Sequence, residues 1–191
     1  MPAPTQERKP KGVPITNERP GGCPLGGIVE IDTMRLSPVP GVVRYHCSAV
    51  DVVSRYGVVG VRGTATAGTA KEFLGEVRAR FPFPIKAIQI DGGSEFMAAC
   101  EAECQVEKIP LRVLPPHSPK LNGHVARMNR TFREEWWECY GGETGRPLGS
   151  MPNMQEAGRD GEVRYNEVRP HQALGMRTPI EFLADRFSIH P

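Results

Sequence analysis

Gly27-Ile28-Val29-Glu30-Ile31-Asp32-Thr33-Met34 is the stretch on which the reading of the chain turns. Its β-branched residues predict a strand. Side chains alternate across a strand, so Glu30, Asp32 and Met34 share one face. A carboxylate in the middle of an apolar strand is costly unless it is paired or holds a cation. Asp32 is therefore the first candidate functional residue.

Working outward, Pro38, Pro40 and Gly41 break this strand, and further strands are expected over 42–53 and 57–62. The short breaks predict an antiparallel meander. Thr66 or Thr69 can cap a helix running to about 81, with Phe73, Leu74 and Val77 at helical spacing. Pro82 and Pro84 stop it, and a short strand over 85–90 ends at Asp91. Gly92 and Gly93 then let the chain turn sharply and leave that carboxylate uncrowded. Ser94 can cap a helix to about 106, and a strand over 111–114 is stopped by Pro115 and Pro116. A long helix is expected over 121–140, another over 153–166, and a last short one from Thr178-Pro179.

This order predicts an α/β fold. Three antiparallel strands come first, then parallel strands joined by helices, in one mixed five-stranded sheet. If the strands of Asp32 and Asp91 are neighbours, their carboxylates converge. A divalent cation would remove the repulsion between them.

Composition excludes more than it asserts. The 191 residues carry 24 basic and 22 acidic side chains, a net +2 that argues neither for nor against nucleic acid. No apolar run is long enough for a membrane span, and the first residues lack the apolar core of a signal peptide. The five cysteines form no C-x-x-C pair and read as structural thiols in a reducing cytoplasm. Residues 1–26, rich in Pro, Gly and charge, read as an extended or disordered lead-in. A core domain with a C-terminal helical extension follows over 27–186, and a tail over 187–191.

Five segments carry a specific resemblance. Ile90-Asp91-Gly92-Gly93-Ser94-Glu95-Phe96 resembles the D-[NG]-G-[ST]-E-F segment of integrase-type transposases. Ser118-Pro119-Lys120-Leu121-Asn122-Gly123-His124-Val125-Ala126-Arg127-Met128-Asn129-Arg130-Thr131 resembles their S-P-x-x-N-G-x-V-E-R-x-x-R-T segment. Tyr165-Asn166, Arg169-Pro170-His171, Leu174 and Thr178-Pro179 resemble the closing segment. Ile31-Asp32-Thr33 and Asp51, Ser54, Arg55 and Tyr56 resemble the first two strands.

The resemblance implies a ribonuclease-H-like core of the DDE transposase and retroviral-type integrase family, cutting and joining DNA. In that family three carboxylates hold two Mg2+ (or Mn2+) ions for in-line attack on a phosphodiester. Asp32 and Asp91 match the first two. The third position, 35 residues after Asp91, is Ala126. A methyl group cannot ligate a cation, so one metal or none is expected to remain, with activity impaired. Glu134 and Glu135 lie eight and nine residues further on, about 12–13 Å along a helix. Glu95 is the nearest spare carboxylate.

Lys120, Asn122, His124, Arg127 and Arg130 are the expected DNA-binding residues, with Arg133 on the same basic face. Trp136 and Trp137 read as packing groups sooner than base-stacking ones, and His171 is open between a turn and a DNA contact. The resemblance further implies transposon ends and target DNA as partners, a homo-oligomer, and a bacterial cytoplasmic, nucleoid-associated location. The lead-in is shorter than the end-recognition region that family members carry, so a truncated product or isolated domain is expected. Two alternatives stay open: a non-catalytic DNA-binding or oligomerising remnant regulating a sister transposase, and a simple nuclease that cleaves without joining.

Overall fold

The structure is a computed structural model describing residues 23–91, 95–115, 119–140 and 148–187. Strand β1 (Val29–Leu36) lies at the centre of the sheet. Strand β2 (Arg44–Asp51) runs antiparallel to it, with Asp32 opposite Ser48, and β3 (Gly57–Arg62) runs antiparallel to β2. On the other side β4 (Ile88–Asp91) is parallel to β1, with Ile31 beside Ile90, and β5 (Leu111–Leu114) is parallel to β4. The order β3-β2-β1-β4-β5 is the expected mixed sheet of antiparallel and parallel halves.

Helices cover both faces. Helix α1 (Ala67–Arg80) starts at Thr66, which is joined to Thr69 in a reciprocal capping box, and α2 (Glu95–Val106) lies beside it. Val29 and Ile31 point into the core under these two helices, with Phe73, Leu74, Val77, Ile88 and Ile90. The alternate residues of β1 face the other way. Met34 and Leu36 join Val50, Val59 and Val61 beneath α3 (Gly123–Phe132) and α4 (Met151–Val163). Helix α5 (Pro179–Phe187) is the last described element. The capping role expected for Ser94, the first 22 residues of the lead-in and the tail from 188 lie outside the described residues.

Several elements differ in extent from the sequence expectation. The strand expected over 42–53 is Arg44–Asp51, and the helix expected over 153–166 is Met151–Val163 with a π-helical turn (Arg164–Val168) after it. Strand β4 begins at Ile88 rather than 85, since the segment before it bonds only through Lys86 N–H to Gly26 O and Val29 N–H to Ala87 O. Strand β1 runs on to Leu36, because Arg44 of β2 is there to pair with it. The long helix is not uniform. It opens with a 3-10 turn (Pro119–Asn122) and passes into a π-helical turn (Arg133–Trp137). That turn seats two indoles on one side. Trp137 is buried edge-on to His46 at 5.7 Å, and Trp136 donates Nε1–H to Ala157 O at 2.9 Å.

The outer edge of β3 is buried and sealed by side chains. Gly57 N–H donates to Asn166 Oδ1 at 2.9 Å and Asn166 Nδ2 donates back to Gly57 O at 2.7 Å. Val59 N–H donates to Glu162 Oε2 at 2.6 Å, and Arg80 bonds both Val59 O and Glu162. A strand edge satisfied in this way cannot recruit another strand.

Cys47, Cys100 and Cys104 are buried free thiols, which burial pushes up to about 12, 12 and 11. His46 is fully buried among Phe132 and Trp137, and desolvation lowers its pKa to about 3. The unfolded chain therefore binds a proton near 6.5 that the folded chain refuses until about pH 3. Stability is lost as pH falls through that window, by up to about 1.4 kcal/mol per pH unit. His46→Phe should flatten the acid limb of a melting-temperature profile between pH 6 and 4. An unchanged slope would show that His46 does not govern it.

Candidate active site

The register of two strands brings the acids together. Ile31 of β1 is level with Ile90 of β4, so Asp32 and Asp91 are the next residues on adjacent parallel strands. Burial is the larger cause that lifts the Asp32 carboxyl to about 6, and the charge of Asp91 adds to it. Hydrogen bonds from Thr33 N–H to Oδ1 (2.7 Å) and from Asn129 Nδ2 to Oδ2 (2.9 Å) partly offset these effects.

Asn129 was not singled out by the sequence reading. It sits buried on α3, accepts a hydrogen bond from Ser48 Oγ at 2.6 Å and donates to Asp32. Residues three apart share a helical face. Ala126 therefore lies one turn before Asn129, on the side of α3 that reaches Asp32, and its methyl is exposed. The signal in the sequence was the position of Asn129 inside the N-G-x-V-x-R-x-x-R segment, three residues after Ala126.

Other carboxylates near this helix are committed. Glu134 pairs with Arg130 at 2.9 Å, and both Glu135 oxygens accept from Arg169 at 2.6 and 2.8 Å. Glu30, on the Asp32 face of β1, accepts from His124 N–H and Val125 N–H, both at 2.9 Å, and pairs with His124 Nδ1 at 2.7 Å. Burial pushes Glu30 up to about 7 despite those bonds. The placement of the Glu95 side chain lies outside the described residues. Among the described residues no three His, Cys, Asp or Glu side chains gather as a metal site. Among the described residues, the paired carboxylates of Asp32 and Asp91 are the donors that a divalent cation between these strands would use.

The remaining sequence candidates are dispersed around α3. Asn122 is buried, with its Oδ1 unpaired, and gives α3 no side-chain cap. His124 is held by Glu30, while Arg127, Arg130 and Arg133 are exposed along the helix. The Lys120 side chain lies outside the described residues. His171 is buried at a turn, its Nε2 3.1 Å from Tyr165 O and its ring edge-on to Tyr165, a packing role.

Residues 107–179, from the end of α2 to the first residue of α5, match the family model of an integrase core domain. Over that segment the chain is similar to an integrase core domain. It is similar to an uncharacterized 31.7 kDa protein of insertion element IS407 from Burkholderia multivorans, 29% identical over 137 residues. That match covers 71% of this chain and 44% of the relative. An uncharacterized 39.2 kDa protein of insertion element IS476 from Xanthomonas euvesicatoria is 25% identical over 143 residues, covering 72% and 36%. The chain therefore spans less than half the length of these relatives. The fold matches the catalytic core domain of BIV integrase with a TM-score of 0.63 at 20% identity, covering 84% of this chain and 96% of that one. Among the described residues, no helix is long and apolar enough to cross a membrane.

Proposed function

We propose that this chain is an integrase core descended from a metal-dependent transposase that cut and joined DNA, and that Ala126 has impaired it. The observation that carries the reading is the placement of Asp32 and Asp91 side by side, with position 126 one turn from the Asn129 that holds Asp32. Asp32 and Asp91 would hold one divalent cation, which when bound supplies Lewis-acid activation of a phosphodiester. Asn129 and Thr33 orient the Asp32 oxygens. Without a third carboxylate, the site lacks a ligand for the second ion of the two-metal reaction.

In this reading DNA runs along α3 and the turn before it, with Lys120, Asn122, His124, Arg127 and Arg130 as the proposed DNA-binding residues. The Arg130–Glu134 pair is solvent-exposed, and such pairs contribute about 1 kcal/mol or less, so handing the guanidinium to a phosphate costs little. Transposon ends and target DNA are the proposed partners, handled by an oligomer of this chain in the cytoplasm.

The test is Mn2+ titration with strand-transfer and 3′-processing assays on the parent chain. One Mn2+ is expected, lost in Asp32→Asn, with little or no joining. Two tight ions, or robust Mg2+-dependent joining by the parent, would overturn impairment. The alanine at position 126, which carries no carboxylate, also favours a second reading, a non-catalytic DNA-binding remnant that regulates a sister transposase. It predicts DNA affinity that is salt-dependent and metal-independent. No affinity at low salt would exclude it.

A further inference from the structure

We propose that Glu30 and Gln89 form a paired clamp that sets where residue 126 stands relative to Asp32 and Asp91, an inference that rests on the functional reading above. Glu30 and Gln89 are register partners on the parallel strands β1 and β4. Each lies two residues before an acid, so each points to the same face as that acid, one side-chain repeat away. Both are buried, at 2% and 5% exposure.

Both side chains grip the start of α3. Glu30 Oε2 accepts His124 N–H and Val125 N–H at 2.9 Å each, and Oε1 pairs with His124 Nδ1 at 2.7 Å. Gln89 donates Nε2–H to Leu121 O at 2.7 Å. A helix start leaves several N–H groups unpaired and favours a negative charge there. Asn122, the residue at the cap, forms no side-chain bond to them. The cap is supplied instead from a strand 94 residues away in sequence, by a carboxylate two positions from Asp32. The residue that follows the clamped amides is Ala126. The strands that carry the two acids thus also hold the segment that carries the third position. The chain retains this seat although the third acid is gone.

The test has two independent arms. The first is hydrogen exchange on the cation-free parent chain. Glu30→Ala should speed exchange of the 124–127 amides about 10-fold or more, while the β1 and β4 amides stay protected; unchanged 124–127 protection would overturn the clamp. The second arm is Mn2+ titration in an Ala126→Glu background, where two ions are expected. Adding Glu30→Ala or Gln89→Leu should weaken the second ion about 10- to 100-fold, the range for groups that orient metal ligands. The first ion should stay within about twofold. Glu30→Gln, which keeps an oxygen for the two amides, should retain most of the second ion. Equal weakening of both ions in a folded protein, or no weakening, would overturn the proposal. If Glu30→Ala does not fold, Gln89→Leu carries both arms. If Ala126→Glu gains no second ion, the functional reading fails, and the exchange arm still decides the clamp.

Discussion

Ala126→Glu should raise Mg2+- or Mn2+-dependent strand transfer by about two orders of magnitude or more over the parent chain. Loss of one group that stabilises developing charge at a reacting centre costs about 100- to 1000-fold. Restoring a metal ligand should return a comparable factor. The position is prepared for it. The Ala126 methyl is exposed, so a longer side chain meets no core atoms. It shares a helical face with Asn129, whose amide touches Asp32 at 2.9 Å. Glutamate is a good helix former, so the substitution should cost only a few tenths of a kcal/mol in α3. Without a cation, the added charge should push the Asp32 carboxyl higher still, since like charges disfavour ionisation. The gain should therefore appear only with metal and be abolished by Asp32→Asn. A folded, DNA-binding Ala126→Glu protein with no gain would mean that the third position is wrongly placed.

Phe132→Ala should destabilise the protein by about 3–5 kcal/mol, the usual cost of emptying a buried aromatic site. Phe132 is 2% exposed and lies at the junction of three elements. Its ring is 4.8 Å from that of His46 on β2 and 5.8 Å from that of Tyr165 after α4. Gly161 of α4 lies so close that an added Cβ would stand 2.8 Å from the Phe132 ring. The cavity cannot close easily, because the sheet and both helices meet there. Against a total of about 5–15 kcal/mol, this loss removes a large share of stability. Urea unfolding measures it, with Phe187→Ala as the control. Phe187 is 54% exposed, and its removal should cost about 0.5 kcal/mol or less. A loss below about 1 kcal/mol at Phe132 would show that α3 is not docked through that ring.

Much of this architecture was legible in advance. The alternation of Val29-Glu30-Ile31-Asp32 already sorted the two faces of β1, and both faces meet the cores that this sorting implies. Thr66 was one of two candidate caps, and the capping box links it to the other. The π-helical turn at Arg133–Trp137 was not legible, because its residues continue a helical pattern and only the packing of two indoles distinguishes it.

By itself the sequence determined the element order, the face on which Asp32 lies, the family segments and the absence of an acid at position 126. All of these follow from local periodicity or from residue identity. Only the tertiary structure decided that Asp32 and Asp91 are neighbours, that Asn129 holds Asp32, and that Glu30 caps α3. The bonds from α3 to β1 join residues 94 to 97 positions apart. A local pattern reports which way a side chain points and not what stands opposite it. That is settled when the parallel register of β1 and β4 and the docking of α3 bring distant residues to one side of the sheet.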